Sequence, residues 1–305
     1  MISDAPGACP VCERARLRPV TSPPGVAVFR CSECGHRVAL HDCSATPRND
    51  YHAQYDGGAF LEALRATRIR QAGRLVELLG RRVPQLSGVV DYGAGRGWFL
   101  EACRSTGVTP VAGVDTSQIS VDGLVASGIE AHWIAEDENA TAALSRLSFR
   151  PRVVTLLDVV EHFPPAELRS RLRSIVESCG ETLEIVAVKV PIAGFLYGAA
   201  VSLCRAGSPG PLRQLYQADT WPPHFNYFST ASAELLLASS GLTMTDRVGD
   251  PDFEPDVLGQ RIGATRRLAT ALARFGGHAL AAGILMTRKF DSAVLLARPS
   301  RALPP

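Results

Sequence analysis

Three glycines at alternate positions, in Asp91-Tyr92-Gly93-Ala94-Gly95-Arg96-Gly97, restrict the fold of this 305-residue chain more than any other stretch. They follow Gly88-Val89-Val90, a short apolar strand, and precede Trp98 to Arg104, which opens a helix. Without Cβ atoms the backbone turns sharply and passes close to a ligand. Acidic residues close this strand and the next: Asp91 here, and Asp115 after Val111-Ala112-Gly113-Val114. A carboxylate at the second position suits a bidentate hydrogen bond to the two hydroxyls of a ribose.

The nearest competing pattern is the dinucleotide fingerprint G-x-G-x-x-G/A. Its last position is Trp98 here, with glycine one residue early. An indole there would obstruct a pyrophosphate at the helix N-terminus. Adenosine joined to an amino acid needs no phosphate site.

Strands and helices alternate beyond the turn. Val108 to Asp115, Ile129 to Ile134, Val153 to Asp158 and Leu183 to Val190 read as strands, with helices over Ser117 to Ser127, Asp137 to Leu147 and Pro165 to Ser178 between them. Ser229 to Ser240 reads as a further helix, and Leu242 to Val248 and Ser292 to Ala297 as the last strands. This order predicts an α/β, Rossmann-like, doubly wound and mostly parallel sheet of seven strands. Uninterrupted apolar strands such as Val153-Val154-Thr155-Leu156-Leu157 fit coverage on both faces. Phe60 to Val83 has helical spacing of Leu61, Leu64, Ile69, Leu75, Val76 and Leu79. The alternation stops after Val190, leaving insertions over 191–228 and 251–290, the second with a helix from Leu258 to about Phe275.

Near the start, Cys9-Pro10-Val11-Cys12 and Cys31-Ser32-Glu33-Cys34 form two C-x-x-C knuckles separated by eighteen residues. That spacing matches the two-knuckle zinc pattern. Two such turns present four thiolates as a closed tetrahedron, so Cys9, Cys12, Cys31 and Cys34 are expected to hold a structural Zn²⁺ with no open position for chemistry. His36, His41 and Cys43 follow as bystanders.

Apolar residues make up 46% of the chain, enough for a substantial core, and the net charge is +2. The arginines are scattered, which speaks against nucleic acid, whose phosphates need clustered Lys or Arg. Met1 to Pro6 has no apolar signal core, and the longest uncharged run, Val190 to Cys204, is shorter than the ~20 residues of a membrane span. The expectation is a cytoplasmic chain with no transmembrane segment.

The glycine turn resembles the first motif of class I S-adenosylmethionine (SAM) methyltransferases. Leu157-Asp158-Val159-Val160-Glu161-His162-Phe163-Pro164 is similar to the D-V-x-E-H motif of small-molecule members, including ubiquinone-pathway O-methyltransferases. His224-Phe225-Asn226-Tyr227-Phe228-Ser229 is similar to an H-x-x-Y-F-S string that follows the fifth strand in relatives. The resemblance implies that the turn holds the methionine part of SAM and Asp115 its ribose, with Thr116 beside it. Glu136 or Asp137 would approach the adenine. Tyr51 and Tyr55 match tyrosines that cover the cofactor in zinc-ribbon members, or else pack on the first helix. The implied cofactor set is therefore Tyr51, Tyr55, Asp91, Gly93, Gly95, Gly97, Asp115, Thr116, Asp137 and Asp158.

The implied catalytic set is His224, His162 and Asp158. His224 is the candidate base for a substrate hydroxyl or amine, and its other reading is a structural histidine of the lid. A trio matching Asp158, Glu161 and His162 holds a divalent cation in some ubiquinone-pathway relatives, but turn capping is the reading preferred here. The implied domains are a zinc ribbon over 1–45, a cofactor-covering helical segment over 46–85, and a methyltransferase domain over 86–305. Within the last, 191–228 forms a lid over the acceptor. The expected partner is a small molecule such as a sugar, a secondary metabolite or a lipid-linked intermediate. The alternatives are a zinc-ribbon RNA methyltransferase and a non-catalytic SAM-binding scaffold; the oligomeric state is left open.

Overall fold

The computed structural model describes residues 7–42, 59–135, 140–250 and 291–300. Tyr51, Tyr55, Glu136, Asp137 and the whole 251–290 insertion lie outside them.

The ribbon contributes β1 (Leu17–Thr21), β2 (Val26–Cys31) and β3 (Arg37–His41). Next come α1 (Ala59–Arg82), β4 (Val89–Tyr92), α2 (Trp98–Ser105), β5 (Val111–Asp115), α3 (Gln118–Ala126), β6 (Glu130–Trp133) and α4 (Ala140–Leu144). β7 (Val153–Leu157), α5 (Leu168–Cys179) and β8 (Ile185–Pro191) complete the alternating part. The 191–228 insertion folds as α6 (Phe195–Arg205), α7 (Gly210–Leu215) and the two-residue β9 (Asn226–Tyr227). α8 (Thr230–Ser239), β10 (Leu242–Gly249) and β11 (Ser292–Pro299) follow.

The large sheet has seven strands in the order β10-β11-β8-β7-β4-β5-β6. β4 pairs in parallel with both β5 and β7, β6 extends the first side and β8 the second. β11 inserts antiparallel between β8 and β10. The chain thus leaves β4 toward β5 and later returns to its other side as β7. That reversal opens a crevice at the carboxyl ends of β4 and β7, where ligands of open α/β sheets bind.

Period-two alternation divides each strand between two cores. Val90, Val154, Leu156 and Val186 face one side, against Leu168, Leu172 and Ile175 of α5 and Leu236 of α8. Val89, Val153, Ile185 and Ala187 face the other, against Leu75 and Leu79 of α1 and Leu100 of α2. Both faces of the central strands are dry, which is why they read as unbroken apolar runs.

The ribbon forms a second sheet, β1-β2-β3-β9, whose fourth strand comes from the insertion about 190 residues later. One ribbon face joins the main core through Val38, Phe29 and Cys31. The other packs Val26, Val28 and Ala39 on Tyr197, Leu212 and Tyr216 of the insertion. No described helix is long and apolar enough to cross a membrane.

Candidate functional site

The glycine turn adopts the conformation its composition allows. Gly93, Gly95 and Gly97 have φ of 80°, 53° and 77°, in the left-handed region. A Cβ on Gly93 would overlap Val159, and one on Gly97 would overlap Leu124. The Gly93 amide donates to the Val114 carbonyl at 2.7 Å, tying the turn to β5. Gly97 caps α2 without a side-chain acceptor, so the first-turn amides of that helix have no side-chain cap.

Asp115 fastens the turn from the neighbouring strand. Its Oδ2 accepts from the Gly95 amide at 2.7 Å, and its Oδ1 accepts from the Ser117 amide at 2.8 Å. The expectation was of a carboxylate turned to a ribose. In the structure it holds the glycine turn and the start of α3 in register. Thr116 beside it is exposed, and its carbonyl accepts from the Trp133 indole N–H at 2.8 Å.

Asp91 is buried beneath the turn, where the Thr155 hydroxyl donates to its Oδ1 at 2.6 Å. Burial pushes its carboxyl up to about 8 against the pull of that hydrogen bond, and the charges of Asp115 and Asp158 push the same way. No local pattern in the sequence marks Thr155. Within an apolar strand it reads only as a β-branched residue.

Asp158, at the end of β7, has φ of 58° and turns toward cations. Its Oδ2 lies 2.6 Å from Arg68 Nη1 on α1 and 3.0 Å from Lys189 Nζ on β8. Lys189 is 3% exposed and also reaches Asp250 at 3.7 Å. A buried lysine is tolerated only when paired, and here two carboxylates meet it. The lysine sits inside Ile185-Val186-Ala187-Val188-Lys189-Val190, and partners at 158 and 250 are invisible to a local reading of sequence.

Asp158 therefore separates from the two residues expected beside it. Val160–His162 form a single 3-10 turn that buries Glu161 and turns it with His162 toward His224. One ligand-capable atom from each of Glu161, His162 and His224 lies within 4.8 Å of the others. The imidazoles meet edge to face with centroids 4.7 Å apart. His162 Nδ1–H donates to the Pro223 carbonyl at 2.9 Å, which leaves Nε2 as the lone-pair nitrogen. Burial lowers the His162 pKa, so the ring stays neutral near pH 7.

His224 is held by its backbone. Its amide donates to Tyr216 O at 3.0 Å, and its carbonyl accepts from His41 Nε2 at 2.8 Å. His41, a bystander of the cysteine knuckle on sequence alone, fixes the segment that carries His224.

The four ribbon cysteines converge. Cys9 and Cys34 Sγ are 3.6 Å apart, and Cys12 and Cys31 Sγ 3.5 Å. Disulfide sulfurs would be about 2.05 Å apart, whereas a tetrahedral zinc thiolate with ~2.3 Å bonds has edges of about 3.8 Å. The donor set and spacing fit Zn²⁺, and the site is closed.

The fold is that of a class I, SAM-dependent methyltransferase. The family described as methyltransferase domain matches residues 64–246, more than half of the chain, and the chain belongs to it. Comparison with curated proteins gives no match in sequence. Among solved structures, the chain is similar to magnesium protoporphyrin IX methyltransferase from Synechocystis PCC 6803 with bound SAH, at 15% identity and a TM-score of 0.47 over 82% of this chain and 91% of that one. It is also similar to a SAM-dependent methyltransferase from Archaeoglobus fulgidus, at 16% identity and a TM-score of 0.46 over 81% and 97% of the two chains. Neither is close enough to carry a substrate over.

Proposed function

We propose that the protein binds SAM in the crevice above β4 and β5 and methylates a small-molecule hydroxyl or amine, with His224 and His162 at the acceptor end. The observation that carries this reading is the His162 ring, anchored through Nδ1 and edge to face with His224, on the turn after β7 whose neighbouring Val159 packs against Gly93 of the glycine turn.

The residues present fit SAM. The left-handed glycines let the turn pack tightly on Val159 and Leu124, and the uncapped amides of α2 suit a carboxylate. The Asp91 carboxyl beneath the turn, raised to about 8 by burial, is a group that a cationic ligand would draw into its ionised form. In this reading Asp115, with Thr116 beside it, takes the ribose. Asp137, Tyr51 and Tyr55 complete the set as candidates on the adenine and covering sides.

Bound SAM supplies an activated methyl group, so the chain has mainly to align the acceptor and exclude water. In this reading the 191–228 insertion, whose Tyr197 and Tyr216 are buried against the ribbon, walls the acceptor side and keeps it dry. His224, or His162 through Nε2, takes the acceptor proton as the methyl arrives. Sugars, secondary metabolites and lipid-linked intermediates all offer suitable groups. The ribbon cysteines hold Zn²⁺ as a structural ion.

Transfer from methyl-labelled SAM into the low-mass fraction of a cell extract tests the reading. His224→Ala is expected to lower that transfer about 10²-fold or more while calorimetry finds SAM affinity unchanged. Label appearing only in RNA would replace the small-molecule reading with the nucleic-acid one. Bound SAM with no transfer to any fraction would favour a scaffold.

A further inference from the structure

We infer that the cysteine ribbon is the scaffold of the histidine pair, and that Asn226, with His36 facing it, is a positioning residue through which metal loading of the ribbon sets His162 and His224. The inference rests on the proposed acceptor role of that pair.

Asn226 is fully buried and its carboxamide is shared between two parts of the molecule. Its Oδ1 accepts from His36 Nε2 on the ribbon at 3.2 Å. Its Nδ2 donates to the carbonyls of Phe163 at 2.7 Å and Glu161 at 3.4 Å, on the turn that carries His162. Only a side-chain amide offers an acceptor and two donors in one plane. Aspartate lacks the donors, and an aliphatic residue lacks both functions.

Further contacts run the same way. β3 pairs with β9, and the Ala39 amide donates to Phe225 O at 2.9 Å while the Phe225 amide donates to Glu161 O at 2.8 Å. His41 holds the His224 carbonyl at 2.8 Å. Ser229 Oγ donates to the carbonyl of Cys34, a candidate zinc ligand, at 2.5 Å. His36, two residues after that cysteine, is itself completely buried with its ring 5.0 Å from Phe228. A ribbon built to grip a separate partner would leave its sheet edge at β3 open. Here β9 occupies that edge, and both ribbon faces are packed within the chain.

Coupling of this kind is reciprocal and is readable without an acceptor. The test uses the full zinc-loaded chain with isotope-labelled histidine rings, each resonance assigned by single substitution. Chelating the metal is expected to shift the ring resonances of His162 and His224, while His132 on the far edge strand β6 stays in place. His36→Ala should do the same, and His36→Gln, which restores an N–H donor toward Asn226, should return them. If His36→Ala sheds its metal, Asn226→Asp breaks the bridge from the other side with the cysteines untouched. It is expected to retain zinc and still shift both rings.

Unmoved His162 and His224 resonances after chelation and in both variants overturn the inference. So does movement of His132 along with them, which marks general unfolding. In an extract assay, His36→Ala should lower methyl transfer by about tenfold or more with SAM affinity retained, and equal loss of both marks a merely structural role. Failure of the wild-type chain to bind SAM would sink the proposed function, yet the ring resonances would still report the coupling.

Discussion

Asp91 shows how one residue can tie ligand binding to stability. Its carboxyl titrates near 8 in the fold against about 3.8 in the unfolded chain. The folded state therefore binds the extra proton between those values, and stability falls as pH rises from about 4 to 8. Asp91→Asn, which mimics the neutral acid, should flatten that slope in melting temperature across the same window. An unchanged slope would mean that Asp91 is ionised beside Thr155. Gly97→Ala probes the turn itself. Left-handed strain costs about 1–3 kcal/mol and overpacking against Leu124 a similar amount, so urea unfolding should report a loss of a few kcal/mol together with loss of SAM binding. The glycines and the strand-end acids were legible because each is a local pattern. Thr155 and Lys189 were not, because their significance lies in partners dozens of residues away.

The H-x-x-Y-F-S string is where the elements interlock. Its two-residue strand β9 is too short to announce itself by periodicity, and its partner β3 lies far upstream, so pairing between ribbon and insertion could not be read from sequence. The helices of the insertion, α6 and α7, likewise read only as an apolar stretch. Ser229 closes the string and caps α8. Its Oγ accepts from the Ser232 amide at 3.0 Å, and the Ser232 Oγ accepts in turn from the Ser229 amide at 2.9 Å. The same Oγ holds the ribbon at Cys34 O. Ser229→Ala should therefore cost about 1–2 kcal/mol in urea unfolding. A loss confined to a few tenths would show that neither cap nor ribbon contact contributes.

At the scale of the molecule, a seven-stranded sheet opens a crevice at its strand ends and the cysteine ribbon joins the 191–228 insertion through β9; in the proposed function these are the cofactor site and its acceptor wall. The order of the sheet follows from alternating apolar strands and helices, which is why it could be read along the chain. The wall depends on closing a loop of about 190 residues, for which the sequence offers only the cysteine spacing. Metal analysis should find one zinc per chain, and Cys31→Ala should remove it and lower the melting temperature. Full stability without metal would detach the ribbon from the fold.

The most direct measurement is calorimetric titration of the wild-type chain with SAM near pH 7 in two buffers of different ionisation heat. The account predicts one saturable site and release of a proton as the cationic ligand ionises Asp91, with the release lost in Asp91→Asn. Absence of binding, or preference of the crevice for a nicotinamide dinucleotide, would contradict it.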